Sequence, residues 1–260
     1  MIRVDSWGIG GSVVDAGHGG RAWLGQSRGG AVDLPSFELA NRLVGNGEAA
    51  AGLETSGGLR LTVDVPMMVA LTGATAVVEV VHGPPVGWGV PVVLPAGAQL
   101  RIGRLLDGAR CYLAVRGGVS GRDDELTVGA DPGSPAASHP AARAPLAHSI
   151  RVWPGPRRDW FETDAWALLT SSSFEVAATS RVGVRLSGPA LRRVRHGELP
   201  SEGLTEGAIQ VPPDGMPMIM LADHPTTGGY PVIAVVHRDD LAAAAQAAVG
   251  TRLSFRVARS

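Results

Sequence analysis

The sequence predicts a mostly β protein, a barrel or sandwich with a few short helices. Short apolar runs rich in Val, Leu and Ala recur at close spacing over the 260 residues. Glycine (36) and proline (19) are abundant and divide those runs. The small-Gly-x-x-Leu-x-apolar pattern of 96–102 returns at 249–255, which hints at two related β subdomains. The division is expected at a loop or linker over about 117–147, giving parts 1–147 and 148–260. A chain this long buries roughly 70–75% of its unfolded surface and needs no disulfides.

Residues 2–33 are glycine-dense, with strand-like runs at 2–4, 12–14 and 22–24. Gly25, Ser27 and Gly29 fit the G-x-S-x-G nucleophile elbow, but helix signals begin only at Pro35, so the segment reads as a loop. Residues 35–44 predict a helix, with Pro35 in the first turn, an apolar stripe of Phe37, Leu39, Ala40, Leu43 and Val44, and Gly45 as the stop. Asn46 would cap a short turn over 47–51. Strands are expected at 59–63, 67–72, 76–81, 90–94, 100–102 and 111–115. Residues 117–147, rich in Gly, Asp, Pro, Ala and Ser, read as a poorly ordered linker. Beyond it come strands at 148–153, 174–177 and 182–186 and a helix at 158–170 with Trp160, Phe161 and Trp166 in its core face. A helix at 239–249 starts on Asp239 and Asp240 and stops at Gly250; a strand at 251–258 follows.

Composition removes several functions. The net charge of −1 gives no general attraction to nucleic acid; the run Arg192, Arg193, Val194, Arg195, His196 reads as a solvated basic face. A single cysteine, Cys111, excludes internal disulfides and CxxC sites and suits a core position. No apolar signal core or membrane-length run is present, so a soluble, cytoplasmic protein is expected. The histidines show no HxH or HExxH spacing, so no metal site is expected. All 23 Lys+Arg cations are arginines. Without lysine there is no P-loop, no Schiff base and no biotin carried on this chain.

The stretch 201–236 concentrates the chemistry. Strand runs at 208–211, 217–222 and 232–236 are joined by a turn at 212–215 and by a longer connection, 223–231. The longer one holds Asp223, His224, Thr226, Thr227, Gly228, Gly229 and Tyr230, where a hairpin needs two to five residues. Carboxylate, imidazole, hydroxyls and exposed glycine amides suit a polar or anionic ligand, and Asp223 with His224 could form an acid/base pair. The same residues also make an ordinary solvated loop, and both readings stay open.

Several blocks, taken together, resemble the 5-oxoprolinase C-subunit family, also described as the biotin-dependent carboxyltransferase or allophanate hydrolase subunit 2 family. They are 12–17 (SVVDAG), 24–33 (LGQSRGGAVD), 39–46 (LANRLVGN), Glu54, 70–74 (ALTGA), 112–119 (YLAVRGGV), 152–161 (VWPGPRRDWF), 201–215 and 221–231. The chain departs from the family pattern at Val14, His18 and Gly29, at His224 and Pro225, and over 119–131, where a family segment has no recognisable counterpart.

The resemblance implies two cyclophilin-like β-barrel subdomains and a composite site formed with a homologue of the B subunit, in a heterodimer or higher hetero-oligomer. With a further A subunit, such a system opens 5-oxo-L-proline to L-glutamate at the expense of ATP. The implied division is activation of the lactam oxygen by phosphorylation on B and C, then hydrolysis on A. ATP with Mg is thus expected at a site shared with a partner, and biotin only on another chain. Related carboxyltransferases move CO₂ from carboxybiotin to an amide nitrogen, which gives the alternative function; a non-catalytic regulator binding a kinase inhibitor is a second alternative. The expected catalytic residues are Asp33, Asp223 and His224. The expected substrate-binding residues are Gln210, Pro212, Asp214, Thr226, Thr227, Gly228, Gly229, Tyr230, Gly29 and Gly30, with the Gly228 and Gly229 amides holding oxyanions.

Overall fold

A computed structural model describes residues 1–259 except 122, 196 and 198, so His196 of the basic run lies outside the described residues. The chain forms two compact units, Met1–Gly17 with Asp33–Pro145, and His18–Val32 with the residues from Leu146 on. The short segment His18–Val32 therefore groups with the second unit, although its sequence position is in the first half. Most of the ordered structure is strand, as the sequence implied.

The first unit contains β1 (Ile2–Ser6), β2 (Ser12–Val14), α1 (Leu34–Leu43), β3 (Gly52–Thr55), β4 (Leu59–Val63), β5 (Met67–Gly73), β6 (Ala76–Val81), β7 (Val92–Leu94), β8 (Gln99–Leu105), β9 (Cys111–Val115), β10 (Val119–Ser120) and β11 (Glu125–Val128). They form a six-stranded sheet, β10-β11-β1-β4-β8-β6, and a five-stranded sheet, β2-β3-β9-β5-β7. Alternation in β8 turns Leu100 and Ile102 inward, whereas all five residues of β9 are buried. Leu100, Ile102, Cys111, Leu113 and Val115 join Leu53, Leu61, Val69 and Leu71 in one core. Each such burial contributes roughly 1.5–3 kcal/mol.

Asp33 caps α1. Its Oδ1 accepts from the Ser36 N–H at 3.1 Å and its Oδ2 from the Ser36 hydroxyl at 2.6 Å. Phe37 on the buried face meets Tyr112 edge-on, with ring centroids 6.0 Å apart. A short turn does form over 47–50, closed by the Ala50 N–H on the Gly47 carbonyl at 2.9 Å, but Asn46 does not cap it. Its amide donates to Asn41 and to the Val115 carbonyl, and its carbonyl accepts from the Gly117 N–H. The expected linker is also partly structured. β11 pairs with both β10 and β1, and Arg116 grips Asp131 through two nitrogens at 2.9 and 2.7 Å. Gly117 (φ 91°) allows a close approach there, since a Cβ would lie 2.5 Å from the Gly129 carbonyl oxygen.

The second unit contains β12 (Ser149–Pro154), α2 (Ala165–Ser171), β13 (Ser173–Thr179), β14 (Gly183–Ser187), β15 (Glu202–Gly203), β16 (Ala208–Gln210), β17 (Met218–Met220), β18 (Thr227–Gly228), β19 (Val232–Val236), α3 (Leu241–Ala245) and β20 (Arg252–Val257). Seven of its strands close a barrel in the order β12-β19-β16-β17-β14-β13-β20. The parallel pair β12/β20 closes the ring, and the other ring pairs are antiparallel. Ile150, Val176, Leu186, Ile209, Ile219, Ile233 and Phe255 fill the interior.

Three elements differ from expectation. Residues Ala22–Leu24 are a 3₁₀ turn, not a strand, because Gly25 in the left-handed region ends the segment at once. The helix expected over 158–170 is a 3₁₀ turn, Arg158–Trp160, followed by α2. Extended backbone at Phe161 (φ −112°, ψ 159°) and its bridge to Arg193 separate the two. The helix expected over 239–249 is likewise a 3₁₀ turn, Arg238–Asp240, running into the short α3. The repeated pattern at 96–102 and 249–255 leads in each case through a left-handed glycine, Gly97 or Gly250, into a strand, β8 or β20.

Candidate functional site

The length of the 223–231 connection follows from barrel topology. β16 lies between β17 and β19 and is antiparallel to both, so β17 and β19 run parallel. A hairpin cannot join parallel strands; the chain must travel back along the barrel wall before β19 begins. The connection does this as a strap over β16, and it is fixed at its start, middle and end.

At its start, the Asp223 N–H donates to the Arg181 carbonyl at 3.1 Å. The Arg181 guanidinium returns a two-pronged contact, Nε to Oδ2 at 2.7 Å and Nη2 to Oδ1 at 3.2 Å. Nη2 also donates to the Gly30 carbonyl at 2.6 Å. The Gly29 N–H donates to the Ala222 carbonyl at 3.1 Å. Gly29 (φ 61°) and Gly30 (φ 69°) are both left-handed, a backbone that side chains disfavour. Arg28 forks Glu206, with Nε and Nη2 each 3.0 Å from a carboxylate oxygen. Asp223, Gly29 and Gly30 are thus brought together, along with Arg28, Arg181 and Glu206, which the sequence reading missed. Arg181 sits in the turn before β14, and only the β14/β17 pairing puts that turn beside Asp223.

His224 is buried at 7% exposure, and its Nδ1 lies 2.7 Å from the Pro225 carbonyl. A carbonyl only accepts, so Nδ1 is the donor in this contact.

In the middle, the Leu204 N–H donates to the Thr226 carbonyl at 2.9 Å, and β18 pairs with β15 through Gly203↔Thr227 and Glu202↔Gly228. The alternation of an antiparallel ladder makes Glu202/Gly228 the next hydrogen-bonded pair. The Gly228 amide is therefore engaged in the sheet and is not an exposed oxyanion donor. At the end, Gln210 Nε2 donates to the Tyr230 carbonyl at 3.0 Å and the Val211 N–H to the Pro231 carbonyl at 3.1 Å. Gly228 lies against Gln210; a Cβ there would be 2.7 Å from Gln210 Nε2 and from Leu204 Cδ1. Thr226 and Gly229 are half-buried, whereas Thr227 and Tyr230 are exposed.

Pro212 and Asp214 occupy a different end of the barrel from Asp223. β14 pairs with β17 as Gly183↔Met220 and Arg185↔Met218, so Asp214 lies before the Met218 end and Asp223 beyond the Met220 end. Asp214 binds Arg185 Nη2 at 2.6 Å and accepts from the Met216 N–H at 3.0 Å; Pro212 closes the turn by accepting from Gly215. A cleft of about 340 Å³ adjoins Asp214, lined also by Glu162, Leu191, Arg192 and Arg193. Asp33 belongs to the first unit, where both oxygens serve the α1 cap described above.

Arg193 and Arg195 lie over the Trp160 ring at 5.8 and 5.7 Å, and Arg195 also meets Asp159 at 3.0 Å. Burial pushes the Cys111 thiol up to about 12, which makes it a core residue and not a nucleophile at neutral pH. Among the described residues no group of three His, Cys, Asp or Glu could hold a metal ion, and no helix is long and apolar enough to cross a membrane.

A family model for the carboxyltransferase domain, subdomain A and B, matches residues 24–124 and 121–257. The chain is 32% identical to the C subunit of 5-oxoprolinase from Escherichia coli (strain K12), over 98% of its own length and 90% of that protein. It is 28% identical to urea amidolyase of Lachancea kluyveri, over 89% of its length but 15% of that protein. The crystal structure of TTHA0988 superposes with a TM-score of 0.87 at 33% identity; the match covers 98% of this chain and 55% of that one.

Proposed function

The chain belongs to the carboxyltransferase domain family, subdomain A and B, and on that premise we propose that it is the C subunit of an ATP-dependent 5-oxoprolinase. It would act with the B and A subunits to convert 5-oxo-L-proline to L-glutamate. One observation carries this reading above its relatives: the match to the E. coli 5-oxoprolinase protein covers 90% of its length, whereas the urea amidolyase match covers 15%.

The residues of this chain suit a supporting half of a composite site. A lactam is a weak electrophile; phosphorylating its oxygen turns the amide into an imidate, so its N–H must be held and its proton taken up at that step, before the ring is opened on the A subunit. His224 Nε2 is the acceptor for that proton, since Nδ1 is already committed to Pro225. Asp223, held by Arg181, orients the imidazole-bearing turn and the Gly29–Gly30 backbone. Gly229, Thr226, Thr227 and Tyr230 border the approach from the strap. Gln210 acts by holding the Tyr230 carbonyl.

These residues do not fit a nucleotide triphosphate by themselves. The Gly29 amide is given to Ala222, the Gly228 amide to the β15 ladder, and Arg28 and Arg181 to carboxylates. ATP would be held by the partner's side of a shared site. A biotin-dependent carboxyltransferase is the second reading, favoured by the likeness to urea amidolyase. The test is co-purification of the complete chain with co-expressed B and A subunits, followed by an ATPase assay with and without 5-oxoproline. Stimulation by 5-oxoproline supports the first reading. A biotin-bearing companion on a streptavidin blot, with no such stimulation, supports the second.

A further inference from the structure

The segment 18–28 is a closed loop with a rigid stem and a tip that none of its own unit covers. Its ends meet where the His18 N–H donates to the Arg28 carbonyl at 2.8 Å. The stem is clamped to the barrel by the Arg28–Glu206 fork and by the Gly29 N–H on Ala222. At the tip, the Ala22–Leu24 turn is closed by Leu24 N–H to Arg21 and Gly25 N–H to Ala22, both 2.9 Å. Every residue from 18 to 26 is exposed. Trp23 is 82% exposed and Leu24 55%.

An ordered turn that holds a tryptophan and a leucine in water adds nothing to its own core. A tryptophan can bury roughly 150–250 Å² against a partner, and because the backbone is already fixed, little ordering is lost on contact. Such preset aromatic anchors are typical interface centres. Arg21, beside the pair, has no carboxylate partner among the described residues.

We propose that Trp23 and Leu24 form the knob by which this chain docks to its companion protein, entering an apolar cup with an acidic rim opposite Arg21. The proposal rests on the multi-subunit reading given under the proposed function. Two observations favour a companion protein as the occupant. The solved relative TTHA0988 is matched over only 55% of its length, so there the same region shares one chain with further sequence. The stem of the loop also runs directly into Gly29 and Gly30, which Asp223 and Arg181 hold. A companion gripping the tip therefore bears on the candidate site, which couples assembly to activity.

The test titrates the purified B-subunit homologue of the same organism into the full chain by calorimetry. The variants are Trp23→Ala, Leu24→Ser and Trp23→Phe, with Val249→Ser, exposed elsewhere on the second unit, as control. Trp23→Ala and Leu24→Ser should each raise Kd about 30-fold or more, Trp23→Phe far less, and Val249→Ser not at all. All four should melt with the wild type, since no residue of the tip is buried and Val249 is 65% exposed. Wild-type affinity in Trp23→Ala overturns the proposal and leaves the multi-subunit reading standing. Loss of self-association by the variant chain, with the B-homologue affinity unchanged, also overturns it, because the occupant is then a second copy. If the wild type does not bind the B homologue, both the multi-subunit reading and the proposal fall.

Discussion

Arg181 holds Asp223 through both carboxylate oxygens, and through the same Nη2 it holds the carbonyl of Gly30, 151 residues away. One side chain thus ties the start of the strap over β16 to the glycine pair that enters from the other half of the sequence. Arg181→Gln removes both contacts and should destabilise the chain by about 1–2 kcal/mol, the range for a half-exposed charged fork. Arg181→Lys keeps the charge but not the fork and should recover less than half of the loss. Urea midpoints measure this, and an unchanged midpoint in Arg181→Gln would show that the fork has no structural role.

Gly228→Ala tests the middle of the strap. The new methyl would lie 2.7 Å from Gln210 Nε2 and Leu204 Cδ1. Gln210 must then release the Tyr230 carbonyl, or the strap must lift. A loss of about 1–3 kcal/mol is expected in thermal or urea unfolding, as for other overpacked sites. A neutral outcome would mean that the strap is looser than its hydrogen bonds indicate.

His224→Asn should leave folding and complex formation intact and reduce turnover of the assembled system by roughly 10²–10⁴-fold, the usual range for a lost acid/base group. A variant with near wild-type turnover would remove His224 from the chemistry.

Acid stability follows from the arginine forks. The hydrogen bond from Arg116 draws the Asp131 carboxyl down to about 2, and that from Arg151 lowers Asp240 against the opposing effect of burial. Both folded-state values lie below the ordinary ~3.9. Their stabilisation is therefore complete above that value and is lost as pH falls through the folded values, so melting temperature should fall below about pH 4. Asp240→Asn should be less stable than the wild type at pH 7, and the difference should shrink as pH falls through the lowered folded value of Asp240. Parallel curves would contradict the assignment.

Cys111, with its thiol pushed up to about 12 by burial, should not react with a thiol reagent at pH 8 until the chain unfolds. Rapid labelling of the native protein, counted spectrophotometrically, would place it outside the core.

The strands were legible because short apolar runs sit between closely spaced turn residues: the runs at 111–115 and 232–236 predict β9 and β19 to the residue. The strap's residues were legible as a group, with a ligand site and an ordinary loop both open, but the parallel run of β17 and β19 that requires its length was not. Arg181 could not be found, because it lies 42 residues from Asp223 and only strand pairing joins them. Asp33 carried a readable signal that was overlooked: an acidic residue two before Pro35 and three before Ser36 is a helix N-cap pattern. The 22–24 run failed as a strand because three apolar or small residues between Arg21 and Gly25 are too few for period two to distinguish from a turn.

The central claim is that this chain supplies an indispensable part of a 5-oxoproline-opening complex. The direct measurement is glutamate release from 5-oxo-L-proline and ATP by the purified A and B subunits, with and without the full chain. Release that requires all three is predicted. Equal release without this chain, or none from a stable assembly of all three, would contradict it.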